Sequence, residues 1–140
     1  MTDPTIGRLV QGFWRAFLDT DARGPAALDG WVTPDVAFRG TLGIAVTGAE
    51  GITGYCRQAR KIFKDFQVDV GEIIAQGDRA AARLTFSGVH QAELFGVPAS
   101  GRRMEYDGMC WMRLDGDRFA DVWVMGDAAE WMTRFRDLQQ

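Results

Sequence analysis

Two titratable residues of this sequence follow the apolar faces of predicted strands. His90, the one histidine in the chain, continues the alternating apolar residues of a segment at 79–91. Asp127 follows Trp123 and Met125 with the same spacing of two. A carboxyl group beside apolar surface has a raised pKa, which makes it a usable general acid or base near neutral pH. Asp127 is therefore a candidate acid–base residue, and His90 is a second candidate.

Both residues also have a structural interpretation. Asp127 begins a predicted helix, where an aspartate side chain can accept hydrogen bonds from the first backbone N–H groups. His90 can be a hydrogen-bonded core residue. The two interpretations of Asp127 predict opposite geometries. A catalytic Asp127 points into a cavity beside His90, whereas a capping Asp127 accepts from the amides of Ala129 or Glu130 and faces solvent.

The sequence offers few ligands for metal or cofactor chemistry. Besides His90 there are only two dispersed cysteines, Cys56 and Cys110, whereas a zinc site uses about three or four protein ligands. The glycine motifs of P-loops and dinucleotide-binding turns do not occur. Lys61 and Lys64, the only lysines, lie on the basic face of one predicted helix, so no Schiff-base lysine is indicated. We expect neither a metal nor a cofactor.

Composition excludes several other classes of protein. The 140 residues are 46% apolar and 25% charged, with a net charge of −3, which predicts one soluble domain over residues 1–140 and no nucleic-acid partner. The longest uncharged run, at 40–49, has about half of the roughly twenty residues that a membrane helix needs. The absence of a signal-peptide pattern and the separated cysteines predict a cytoplasmic protein.

The periodicity of the apolar residues changes once along the chain. It is helical up to about residue 64 and alternating from residue 66. This order predicts an α+β fold in which helices lie on one face of a curved antiparallel sheet. The predicted helices span 5–19, 25–31, 48–64 and 127–138, and the predicted strands span 36–38, 66–75, 79–91, 103–114 and 118–126.

The last two predicted strands carry bulky apolar residues on both faces. On the first of them, Met109 and Trp111 point to one face, and the other face is also apolar. On the second, Val122 and Val124 point to the face opposite that of Trp123. An antiparallel sheet with one solvated face should alternate cleanly. We therefore predict a homodimer that forms through the outer face of the sheet; the alternative is a sheet whose aromatic residues are covered by its own loops.

The loop between the two central strands carries a recognisable motif. Five residues match the signature G-T-H-x-G-x-F-x-G-x-P-P-T-G of SnoaL-like polyketide cyclases: Gly88, His90, Gly96, Pro98 and Gly101. Trp123 and Asp127 fall where that family has W-x-x-x-D. The order of the elements also matches over essentially the whole chain. The sequence therefore resembles the SnoaL-like family.

This resemblance implies a cystatin-like cone of the nuclear-transport-factor-2-like superfamily. It also implies a cofactor-free enzyme that closes a ring in a polyketide-like small molecule by an intramolecular aldol reaction. In such enzymes the residue at the position of Asp127 is the general acid/base, and the histidine at the position of His90 lies near it. One carboxylate suffices when conjugated carbonyls already make the substrate C–H acidic.

A flat apolar ligand needs aromatic walls, and core packing explains the same residues equally well. The candidate binding residues are Phe13, Trp14, Tyr106, Trp111 and Trp123. Two other functions stay open on the same fold. One is an epoxide hydrolase-like enzyme in which a water is held by Asp107, Asp121 and Tyr106. The other is a ligand-binding protein without catalytic activity.

Overall fold

The helices precede most of the sheet, in the order that the periodicity predicts. The computed structural model describes residues 4–41, 43–127, 129, 130, 133 and 136. The elements are α1 (Pro4–Arg23), a 3₁₀ helix (Gly24–Leu28), β1 (Val32–Arg39), β2 (Ala45–Thr47), α2 (Gly48–Ile62), β3 (Phe63–Gln76), β4 (Arg79–His90), β5 (Arg103–Asp115) and β6 (Arg118–Gly126).

The six strands form one curved, unclosed sheet in the order β2-β1-β6-β5-β4-β3. Strands β3 to β6 are an antiparallel meander, whereas β1 runs parallel to β6, with Phe38 opposite Val122. The sheet is therefore mixed rather than purely antiparallel. The predicted α+β cone is confirmed.

The first part of the chain departs from the prediction in several places, among them β2, a strand that was not predicted. The segment predicted as a helix at 25–31 is a shorter 3₁₀ helix, and β1 begins at Val32 despite Pro34. The pairing of β1 with β6 is irregular between Val32 and Ala37, so Pro34 lies where no regular ladder bond is lost. The predicted C-terminal helix falls partly outside the described residues, of which 129, 130, 133 and 136 are helical.

Two groups of aromatic side chains fill the cone. The apolar stripes of α1 and α2 meet β1 in the first group, where ring centroids lie 5.0 to 6.5 Å apart. Strands β3 to β5 contribute the second group, at 4.9 to 6.3 Å. The first group comprises Phe13, Trp14, Phe17, Phe38 and Tyr55, and the second comprises Phe63, Phe66, Phe86 and Tyr106.

A register shift in β6 decides which of its residues face the core. Leu114 pairs with Phe119 but Arg113 pairs with Asp121, so β6 holds one extra residue. Such a bulge reverses the alternation of side chains. As a result Val122 and Val124 are buried with Phe119, whereas Trp123 is exposed. The prediction that Val122 and Val124 lie on the outer face is therefore wrong.

Gly108 lies where the sheet packs so tightly on the core that there is no room for a side chain. A Cβ there would lie 2.5 Å from the carbonyl oxygen of Met125 and 2.6 Å from the ring of Phe86. We expect Gly108→Ala to destabilise the fold by about 1–3 kcal/mol. Gly54→Ala is the matched control: it lies in α2 with open space at its Cβ position, so it should stabilise the fold by about 1 kcal/mol. Thermal and urea unfolding measure both; a neutral Gly108→Ala would contradict this packing.

Candidate functional site

An apolar cavity lies between the two aromatic groups. Twelve residues line it: Trp14, Phe17, Phe38, Gly40, Thr41, Tyr55, Ala59, Phe63, Phe66, Phe86, Tyr106 and Val124. Its volume is about 10 Å³. That is room for about one water molecule, so a ring-sized ligand requires the aromatic walls to move apart.

The polar groups of this cavity gather where β1 ends. Tyr55 packs so closely on Gly40 that a Cβ at this position would overlap the tyrosine ring. The next residue, Thr41, lies over Gly126 at the end of β6, and its buried hydroxyl oxygen has no hydrogen-bond partner. Because residues 40 and 126 are glycines, the chain just after β1 can approach the Tyr55 hydroxyl and the end of β6 can approach the Thr41 hydroxyl.

Asp127 lies beside this polar end but is exposed to solvent. Its backbone N–H donates to the carbonyl of Asp107 at 3.2 Å, which extends the pairing of β6 with β5. Its negative charge raises the pKa of the Tyr106 phenol, after burial and Tyr55 as larger causes. The carboxylate is therefore within electrostatic range of Tyr106, although it does not line the cavity itself.

His90 is buried beside the start of β5, whereas Asp127 attaches further along that strand. The backbone N–H of His90 donates to the carbonyl of Arg102, whereas the backbone N–H of Asp127 donates to that of Asp107. The two acceptors are five residues apart, which is about 17 Å along a strand. The imidazole Nδ1 lies 3.0 Å from Ser100 Oγ, and Nε2 has no hydrogen-bond partner. The structure thus places His90 in the core, as the alternative interpretation allows, and does not bring it together with Asp127.

Burial lowers the pKa of His90, against a smaller opposing effect of the Ala92 backbone. The folded protein therefore holds His90 neutral, and the unfolded chain binds a proton more readily. We expect the stability from this residue to be complete above pH 6.5 and to be lost as pH falls through the lower folded pKa. Because His90 is the only histidine, its single imidazole NMR signal measures this pKa. A midpoint at or above 6.5 would contradict the buried placement.

The predicted aromatic residues divide between three places. Trp14 and Tyr106 line the cavity, whereas Phe13 packs behind Trp14 with ring centroids 5.0 Å apart. Trp111 and Trp123 are 40% and 45% exposed on the outer face of the sheet. Phe13, Trp111 and Trp123 thus do not line this cavity, and their role in ligand binding stays a prediction. For the two tryptophans the reason is the phase of β5 and β6, which directs their side chains away from the helices.

Other predicted groups do not converge on one site. Asp107 is exposed and Asp121 is partly exposed, both on the outer face, whereas Tyr106 points inward. They cannot hold one water between them. Cys56 and Cys110 are free and buried, and burial raises the pKa of Cys110 to about 11. The described part of the chain contains no group of three acidic, histidine or cysteine residues that could bind a metal.

Two residues at the polar end are not among the predicted site residues. Tyr55 lies on the buried, apolar side of α2, and Thr41 lies in an uncharged turn without a motif. Their proximity depends on the parallel pairing of β1 with β6, which no local pattern predicts. The signal that could have been used was composition: the chain has only two tyrosines, and both line the cavity.

Comparisons with known proteins agree with this architecture. Residues 8–134 match the sequence profile of SnoaL-like polyketide cyclases. TsrD from Streptomyces laurentii is 26% identical, with a TM-score of 0.75 and 96% of each chain covered. IdmH from Streptomyces antibioticus, described as a candidate polyketide cyclase, is 24% identical, with a TM-score of 0.74 and coverage of 92% of this chain and 96% of that chain.

A third structure shows how widely the fold is shared. A protein of ketosteroid isomerase-like fold from Catenulispora acidiphila, in complex with trimethylamine, is 18% identical, with a TM-score of 0.65 and coverage of 83% of this chain and 82% of that chain. No curated protein sequence matches the chain. Among the described helices, none is long and apolar enough to cross a membrane.

Proposed function

Because the chain belongs to the SnoaL-like polyketide cyclase family, we propose that it closes a ring in a polyketide-like small molecule by a cofactor-free intramolecular aldol reaction. The family supports a cyclase- or isomerase-type role. The observation that carries the finer proposal is the aromatic cavity with hydroxyl groups at one end and the Asp127 carboxylate beside them. Once these aromatic walls move apart, they provide the apolar surface that a polycarbonyl chain needs.

The proposed reaction needs one carboxylate and no external reactant. Asp127 removes a proton from the carbon between two carbonyl groups, which leaves an enolate. The enolate carbon attacks a ketone of the same molecule and forms the new C–C bond. The resulting alkoxide then takes the proton back from Asp127. His90, neutral and with an unpartnered Nε2, is a second acid–base group in the proposal and would act on a different part of the ligand.

A ring-closure assay tests this proposal. The protein is incubated with a linear ester that carries several β-ketone groups, and mass spectrometry follows a product of unchanged mass, or lighter by one water. We expect conversion above the buffer rate that chelators do not reduce. The exposure of Asp127 favours a second candidate, a ligand-binding protein without catalysis. Binding of the ester without conversion would support that candidate and contradict the cyclase.

The proposal also includes a homodimer and a cytoplasmic location. Met109, Trp111, Trp123 and Met125 form an exposed square on the outer face of β5 and β6, called here the outer apolar patch; Met109 pairs with Met125 and Trp111 with Trp123. Contiguous exposed apolar side chains are typical of interaction surfaces, and a second copy of the chain offers the same patch. Two free, buried cysteines suit a reducing compartment.

A further inference from the structure

The two tyrosines are placed differently from the other aromatic residues of the cavity. Their rings belong to the apolar walls: Tyr106 stacks on Phe86 with centroids 4.9 Å apart, and Tyr55 meets the edge of Phe38 at 5.1 Å. Both are more than nine-tenths buried. Phenylalanine would fill the same space without carrying a hydroxyl group into an apolar environment, where a polar group is costly. The hydroxyl group of Tyr106 therefore calls for an explanation other than packing.

Three observations place these hydroxyl groups at one end of the cavity. The ionisation of Tyr106 is opposed by both Tyr55 and Asp127, so all three groups are within electrostatic range. The Tyr55 hydroxyl packs on Gly40. The Thr41 hydroxyl, which follows Gly40 and lies on Gly126 beside Asp127, is buried and has no hydrogen-bond partner. The donor groups thus line the same small volume, and the exposed carboxylate of Asp127 follows Gly126 beside it.

A reaction that forms an enolate in this cavity requires donors there. The negative oxygen would otherwise lie among aromatic rings, in a region of low dielectric where unpaired charge is strongly destabilised. Preorganised donors directed at the developing charge are the usual solution. Resting on the proposed cyclase function, we propose that the hydroxyl groups of Tyr106 and Thr41 donate hydrogen bonds to the enolate oxygen of the ligand and are catalytic residues.

Tyr106 remains a donor over the whole physiological pH range. Burial, the neighbouring Tyr55 and the charge of Asp127 all raise the pKa of its phenol above 10. The charged group that faces Tyr106 is Asp127; Phe63 and Phe86 pack on its ring and do not titrate. In the balanced reaction Tyr106 keeps its proton throughout. Asp127 removes and returns the transferred proton, and the two hydroxyl groups only share hydrogen bonds with the oxygen.

Binding of 4-nitrophenol tests this role without any turnover. Its absorbance distinguishes the bound phenol from the bound phenolate, whose oxygen represents the enolate oxygen. We expect Tyr106→Phe to weaken phenolate binding about 10- to 100-fold relative to phenol binding, and Thr41→Val to do the same to a smaller extent. Thr85→Val is the matched control, since Thr85 lies on the outer side of the sheet near Asp107; it should leave both affinities unchanged.

The possible results separate this proposal from the cyclase proposal. If wild-type protein binds phenol and phenolate and Tyr106→Phe affects both equally, the donor role is wrong while ring binding stands. If neither form binds to folded wild-type protein, the cavity does not accept rings, and both proposals fail. Circular dichroism of each variant establishes that it is folded. Should Tyr106→Phe not fold, a selective loss of phenolate binding in Thr41→Val still supports the donor role, and unchanged selectivity overturns it.

Discussion

Replacement of Asp127 with asparagine is expected to lower the rate of ring closure by about 10²- to 10⁴-fold. Asparagine preserves the shape of the side chain but cannot take a proton from carbon at neutral pH. Because Asp127 is exposed, the substitution should change the free energy of unfolding by no more than about 0.5 kcal/mol. The measurement is the initial rate with the linear β-ketone ester, compared at equal concentrations of folded protein.

Two measurements make the Asp127 result specific. Asp117→Asn removes an exposed carboxylate in the turn between β5 and β6 and should leave the rate unchanged. Asp127→Asn should also keep the thermal stability of the wild type, because the residue is exposed; an unchanged unfolding curve excludes misfolding as the cause of a lower rate. Undiminished ring closure by Asp127→Asn would exclude Asp127 as the acid–base residue.

Substitution of Trp111 with glutamate is expected to raise the dissociation constant of the homodimer by about 30- to 1,000-fold. Trp111 lies in the outer apolar patch opposite Trp123, and buried tryptophans are frequent hot spots of interfaces. A carboxylate there would also have to lose water on association, a cost that pairing with the nearby Arg79 only partly offsets. Arg79, whose guanidinium lies 5.6 Å from the Trp111 ring, would lose its aromatic contact. Sedimentation velocity at micromolar concentrations measures the change.

Phe95→Glu is the control for the dimer. Phe95 is 45% exposed, similar to Trp111, but it lies in the loop between β4 and β5 and not in the outer apolar patch. Its substitution should leave the dissociation constant unchanged. A wild-type protein that sediments as a monomer at tens of micromolar would contradict the dimer. An equal effect of Phe95→Glu and Trp111→Glu would place the interface elsewhere.

The sequence by itself determined most of the elements and much of the core, but not β2 or the full length of β1. The spacing of apolar residues located α1, α2 and β3 to β6, and it assigned the buried face of β4, including His90. These features depend on local periodicity, because the side of a helix or strand that faces a core must be apolar along its whole length. The loop motif around His90 indicated the family for a similar reason: its glycines and proline occupy positions near one another in the chain.

The site itself was decided by tertiary structure. One extra residue in β6 turned Val122 and Val124 inward and Trp123 outward, and a bulge of this kind has no sequence signal. Asp127 and His90 are separated because their backbone N–H groups bond to carbonyls five residues apart, at Asp107 and Arg102. Thr41 lies at the end of β6, and Tyr55 packs beside it on Gly40. Both positions depend on the parallel pairing of β1 with β6, two strands about eighty residues apart in sequence. Contacts between distant segments depend on register, and register is fixed by the packing of the whole sheet rather than by the residues at any one position.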